Sequence, residues 1–267
     1  GYSSSSRATH LSVGAFDTVM TSQYPHLANA PIVEALIDLR VLLPEGFNVR
    51  QLKEVHGQVE AEYPKIETQH LMQGKFRFTG EELVTAGQDK TIRGFRILGD
   101  EGRNIAQFRR DGFTFSRLKP YQSWETLYNE SLRLWRLYRD VAKPRGINRL
   151  ATRFINRIHC PPEFELGEYF ASPPQVPDGM PDVVTSFLQR YVLYPTEGVN
   201  ANVTLATESS SGAQKQGSVI LDIDCYASED VAPDDDERIE TIFLKLWGMK
   251  NRIFFSNLTP QAIKAFE

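Results

Sequence analysis

Cysteine is scarce in this chain: Cys160 and Cys225 are the only two in 267 residues, and they lie far apart. That spacing excludes the clustered Cys/His pairs of a zinc site and the dense cysteine framework of small disulfide-held domains. A chain of this length can bury a core without a staple, so both thiols are expected to be reduced. Long apolar runs are missing too, none reaching the ~18–20 residues a membrane span needs. Gly1 to Thr18 is serine-rich and lacks the charged-then-apolar order of a secretory leader. Together these absences predict a cytoplasmic protein with no membrane partner.

Motifs that announce chemistry are also lacking. No glycine loop for phosphates, no Gly-x-Ser-x-Gly elbow and no His-Glu-x-x-His pair occurs, so no cofactor, catalytic residue or metal ligand set is assigned. The five histidines (His10, His26, His56, His70 and His159) are scattered, and His56 has no second ligand three or four residues away. His159 and Cys160 are neighbours, but on a strand they point to opposite faces and cannot form a dyad.

What is present is ordinary globular material, 41% hydrophobic, 24% charged and 11% aromatic. Residues 1–27 read as a flexible or appended N-terminal extension, its first nineteen without any packing pattern. Ile32 to Leu43 is a long apolar segment bounded by prolines and predicts a buried strand. Asn48 caps a helix to about Tyr63. Strand-like stretches follow at Ile66 to Thr79, Ile92 to Leu98 and Asn104 to Leu118. From Ser123 to Val141 the apolar positions recur at helical spacing, ending at Pro144-Arg145-Gly146. The second half repeats this rhythm. A strand at Ile147 to Ile158 leads to a short helix near Leu166 to Phe170. Strands at Phe187 to Tyr194, Val199 to Thr207 and Ser218 to Tyr226 come next, with Ser209 to Gly212 as a hairpin loop. A helix opens at Asp234 to Glu237. Runs of strands closed by helices predict an α+β fold with antiparallel sheets and packed helices. The halves, 28–145 and 146–267, read as two related β-α-β-β-β-α lobes, separate or fused into one domain.

Charge is laid out unevenly. From Arg93 to Arg157 there are 13 Arg and 2 Lys against 6 acids, a surplus of +9 in a chain whose net charge is −4. Arginine's planar fork suits carboxylate or phosphate. Arg149, Arg153 and Arg157 fall at i, i+4 and i+8 and share one face on a strand or a helix. Two readings stay open. The row either pairs internally with Asp222 and Asp224, or it presents a surface for an acidic protein or nucleic acid. In the second case Arg109, Arg110, Arg117 and Lys119 extend the surface; Phe108, Phe113, Phe115 and Tyr121 could then stack bases, although at alternating strand spacing such aromatics are more often core. The terminal Phe254-Phe255 is either core or a subunit contact. Asp222 and Asp224, with Glu229 and Asp230 nearby, also fit the carboxylates of a metal-dependent hydrolase or nucleic-acid-processing enzyme.

Several segments carry a resemblance. They are Asn29-Ala30-Pro31-Ile32-Val33-Glu34-Ala35, Phe113 to Tyr121 with Trp124, Asn148 to Ile158, and Lys250 to Phe255. The chain from about residue 28 onward resembles a sporadically distributed prokaryotic family of uncharacterised proteins. The resemblance implies no particular activity; it marks Arg117, Arg149, Arg153, Asn156 and Arg157 as part of the family pattern, and the family's patchy distribution resembles that of defence or toxin–antitoxin genes. The expected function is a non-enzymatic binding or regulatory component of the prokaryotic cytoplasm, with a protein or nucleic-acid partner on its arginine-rich surface.

Overall fold

The structure, a computed structural model, describes residues 24–79, 82–161, 165–181, 184–194, 198–208 and 217–267; the side chains of 72–90 are outside the description. The expected hairpin loop at Ser209 to Gly212 and most of the N-terminal extension lie outside the described residues. From Tyr24 onward the chain is packed: Tyr24 stacks on Phe255 at 4.6 Å, and Leu27 lies against the core.

Among the described residues, nine strands form one antiparallel sheet. In chain order they are β1 (Ile32–Leu42), β2 (Lys65–Thr79), β3 (Glu82–Gly99), β4 (Asn104–Arg109), β5 (Gly112–Leu118), β6 (Gly146–Cys160), β7 (Leu188–Leu193), β8 (Asn200–Glu208) and β9 (Gly217–Ala227). Their spatial order is β2-β3-β4-β5-β1-β6-β9-β8-β7. Five helices accompany them among the described residues: α1 (Lys53–Val59, entered through a 3₁₀ turn at Val49–Leu52), α2 (Trp124–Ala142), α3 (Leu166–Tyr169), α4 (Asp236–Asn257) and α5 (Pro260–Lys264). None of these helices is long and apolar enough to cross a membrane.

The two halves of the chain follow the same path. Each begins with a strand at the middle of the sheet, and each meander ends on a strand that returns to pair with the first, β5 beside β1 and β9 beside β6. A long helix then closes each half. The halves join edge to edge where β1 pairs β6. They differ in count, because the stretch Asn104 to Leu118 is two strands and not one. Arg110 and Asp111 turn the chain there, and Gly112 follows at φ +152° against the carbonyl of Leu39, where an added Cβ would come within 2.1 Å of oxygen.

Alternation along each strand decides what lies on each face. Ala35, Ile37, Leu39 and Val41 of β1 and Leu150, Phe154 and Ile158 of β6 are buried on the helix side. Ser123 accepts a hydrogen bond from the Thr126 N–H and starts α2; Asp235 accepts from the Arg238 N–H and starts α4. Both long helices lie on the same side of the sheet. Trp124 of α2 stacks on Trp247 of α4 at 5.8 Å, and Tyr128 meets Phe243 edge-on at 5.9 Å. Phe254 belongs to this core, with Phe255 packed beside it, so that pair is held inside the fold. Phe108, Phe113 and Phe115 are fully buried, Phe108 and Phe113 against Trp135 and Tyr138 of α2, so of the two readings these three take the core one.

Because Phe113 touches Phe108, Trp135 and Tyr138 with no exposure, Phe113→Ala should cost about 3–5 kcal/mol of unfolding free energy. Urea denaturation of the two proteins checks this.

Candidate binding surface: the open face of the sheet

The side of the sheet opposite the helices carries most of the charged positions of the central strands. On β1 these positions are Glu34, Leu36, Asp38 and Arg40; on β6 they are Arg149, Ala151, Arg153, Ile155 and Arg157. Register then sets the neighbours. Asp38 stands across from Thr114 of β5 and Ala151 of β6, while Arg40 stands across from Arg149.

Like charges directly opposite on a sheet repel. Here Asp38 relieves the repulsion, since one of its oxygens accepts from Arg40 Nε at 3.3 Å and from Arg149 Nη1 at 3.4 Å. Its other oxygen accepts from the Thr114 hydroxyl at 2.6 Å and from Arg109 Nη2 at 3.0 Å. Arg109 is itself buried, with a side chain only 6% exposed, and a buried guanidinium must be paired. It donates to Asp111 and Thr114 as well, while Tyr138 of α2 donates through the sheet's other side to the Arg109 carbonyl at 2.8 Å.

Asp111, in the β4–β5 turn, gathers Arg93, Arg109 and Arg40. Partial burial would raise its carboxyl, but Arg109 and Arg93 outweigh that and hold it below the ordinary carboxylate range. Toward β9 the pattern continues. Arg149 donates to Asp224 at 3.3 Å and lies over the Tyr226 ring at 4.6 Å, and Asn202 shares the same Asp224 oxygen. Arg153 makes a two-pronged pair with Asp222, its Nε at 2.8 Å, and that bond raises the guanidinium's already high pKa. Arg157 reaches Glu208 at 2.7 Å.

The predicted residues thus separate into groups. Arg109, Arg149, Arg153 and Arg157 share the open face, joined by Asp38, Asp111, Asp222, Asp224 and Glu208. Arg110 and Lys119 are exposed at the ends of β4 and β5. Arg117 and Asn156 are on the helix side. Arg117 donates to Asp100, to Asn104 at 2.9 Å and to the Pro120 carbonyl, holding Asp100 below the usual carboxylate range. It lines a cavity of about 210 Å³ with Tyr121, Ser123, Thr126 and Glu130. Asn156 is buried and donates to the Leu221 carbonyl at 3.0 Å. Asp38, Arg40, Arg93 and Asp111 belong to the lattice without having been singled out from sequence.

Metal chemistry finds little support here. Asp222 and Asp224 point to the open face together, yet both Asp222 oxygens and Oδ2 of Asp224 already accept from guanidinium or amide donors. Glu229 is drawn away to Arg238, and no group of three or more potential ligands occurs among the described residues. Both cysteines are free and buried, which pushes Cys160 up to about 11 and Cys225 up to about 12, so neither is a ready nucleophile at neutral pH. His159 faces Ser218 on the exposed side, away from Cys160.

A buried amine also lies outside the lattice, in the core. Lys250 of α4 places its ammonium 4.2 Å over the Phe154 ring and donates to Asn251. Burial pushes it down to about 7, which nearby Cys225 only partly opposes.

Compared with known proteins, the chain matches no family model and no curated sequence.

Two predictions follow from these burials. Removing the Asp38 carboxylate strips a buried arginine of a partner, so Asp38→Ala should cost about 3 kcal/mol. Asp222→Ala should cost under about 1 kcal/mol, because Arg153 is 43% exposed and water replaces the lost partner. Parallel urea curves distinguish them, and equal losses would contradict the assignment. For Lys250, the unfolded side chain titrates near ~10.4. Between about 7 and that value the unfolded chain holds a proton the folded chain lacks, so stability rises with pH, by about 1.4 kcal/mol per unit. Lys250→Met should abolish that slope. Unfolding curves at about pH 7 and about pH 9 that run parallel for both proteins would refute it.

Proposed function

We propose that this chain is a non-enzymatic binding or regulatory component that docks a protein partner on the open face of its sheet. The observation that carries this reading is the one-sided layering. The helices cover one face, while the other is a pre-paired lattice of six arginines (Arg40, Arg93, Arg109, Arg149, Arg153 and Arg157) against five carboxylates (Asp38, Asp111, Asp222, Asp224 and Glu208). A surface so nearly neutral offers a polyphosphate little net attraction, because every phosphate would meet aspartates as well as arginines. Fixed donors and acceptors of both signs instead suit a protein surface of complementary pattern, giving specificity more than raw affinity. Arginine is also the charged residue enriched in protein interfaces. Placement in a prokaryotic cytoplasmic system of the defence or toxin–antitoxin kind rests on the resemblance described above.

The test uses the full chain as bait in extract of the cells that make it, with carbodiimide cross-linking, beside an Arg40→Glu/Arg157→Glu double variant. The expected result is one stoichiometric protein partner, cross-linked to the open face and lost with the variant. A gel-shift series across salt runs alongside. Tight nucleic-acid binding that weakens steeply with salt and disappears in the variant would replace the protein reading. Cross-links confined to the helix side would sink it.

A further inference from the structure

The two edges of the sheet are built differently. β2, at one end, pairs across two bulges in β3, where Arg93 and Ala86 are the extra residues, and it opens with a Lys65–Glu67 ion pair at 2.8 Å. Bulges and charges are what keep an edge strand from pairing with another chain. β7, at the other end, has neither protection. Its register with β8 is unbroken from Leu188 to Leu193, no proline interrupts it, and Arg190 is its one charge. Among the described residues its outer edge is without a partner strand. Its apolar side chains are open to solvent: Leu188 is 71% exposed, Val192 45%, and Tyr194, just beyond the strand, 75%.

The strand is also complementary to itself. Tyr191 and Leu193 lie on the helix side, across from Val203 and Ala201, while Leu188, Arg190 and Val192 lie on the open side. Two copies pairing antiparallel about a two-fold axis keep their faces matched only if residues of like parity stand opposite. One such register centres on Arg190 and sets two guanidiniums against each other. The next centres on Tyr191. It stacks the two tyrosines, sets Arg190 opposite Val192 of the other copy, and sets Leu188 opposite its Tyr194. Aromatic and apolar cross-strand pairs stabilise a sheet, and like charges opposite do the reverse.

We propose that β7 is a self-association edge, through which a second copy of this chain extends the sheet with Tyr191 opposite Tyr191. This stands independently of the open-face reading, since it concerns backbone donors and acceptors at the sheet's end. It fits an isologous, closed dimer, in which the edge is used up and further growth stops.

Sedimentation equilibrium of the full chain tests it. The wild type should sediment at twice the chain mass at micromolar concentration and above. Tyr191→Lys brings two ammoniums together at the axis and should yield a monomer whose far-ultraviolet circular dichroism is that of the wild type, with a thermal midpoint no longer dependent on protein concentration. Val192→Lys, opposite Arg190 of the other copy, should do the same. Val192→Glu should keep the dimer, now weakened by salt, because it creates two Arg190–Glu pairs. A wild type that stays monomeric at its solubility limit overturns the proposal. So does a dimer that neither lysine variant disturbs, which would place the contact elsewhere. If Val192→Glu dissociates the dimer as Val192→Lys does, the Tyr191-centred register is wrong.

Discussion

A carboxylate in the middle of a sheet has to be neutralised where it stands, because removing its water costs several kcal/mol. Asp38 meets that condition with donors from three other strands: Thr114 of β5, Arg109 of β4 and Arg149 of β6. The first two belong to its own half of the chain and the third to the other half. Asp38 therefore fixes the register of β1 on both sides at once. A slip by one residue would carry Asp38 to the helix side and leave Arg109 with a single carboxylate, on a face that also loses its hydrophobic set.

The seam between halves is closed on its other face by aromatic contact. Trp124 on Trp247 and Tyr128 on Phe243 bind α2 to α4 directly above the strands that Asp38 joins below. The two faces use different physics for one junction. Apolar burial gives the helix side its free energy without much direction. The hydrogen-bonded charges contribute less net stability and more geometric selectivity, as paired buried ions generally do. Arg109 links the two, since its guanidinium lies in the lattice while its carbonyl accepts from Tyr138.

Much of this was legible in the sequence, and the gaps have identifiable causes. The strands and long helices appear near their expected places because local periodicity determines them. Arg149, Arg153 and Arg157 do share a face, and Asp222 and Asp224 do answer two of them, as the alternation in Leu221-Asp222-Ile223-Asp224 implies. Asp38 was obscured because Leu36, on the same face, makes β1 read as an unbroken apolar run. Only the pairing with β5 and β6 reveals its role, and long-range register leaves no local trace. Arg117 and Asn156 were misplaced for a simpler reason. Arg117 alternates with Phe113 and Phe115, and Asn156 with Phe154 and Ile158, so parity alone assigns both to the helix side. Counting charge along the chain without counting faces merged two surfaces into one. The strand count was missed because the Asp111-Gly112 turn breaks one expected strand into two, while its phenylalanines are buried as their alternation implies.

The lattice and the bare edge pose complementary problems. A nearly neutral, internally satisfied face gains little from any single contact, since each arginine must loosen one carboxylate to serve another. Affinity for a partner then has to come from area or from repetition. In the proposed dimer the two-fold axis through paired β7 strands would run perpendicular to the sheet, so the open faces of both copies would look the same way. Two weak lattices held side by side on a rigid sheet act as one bivalent surface, in which the second contact forms at the high effective concentration set by the first. Under both proposals, the unprotected edge would supply the strength that a self-neutralised surface lacks for holding a partner.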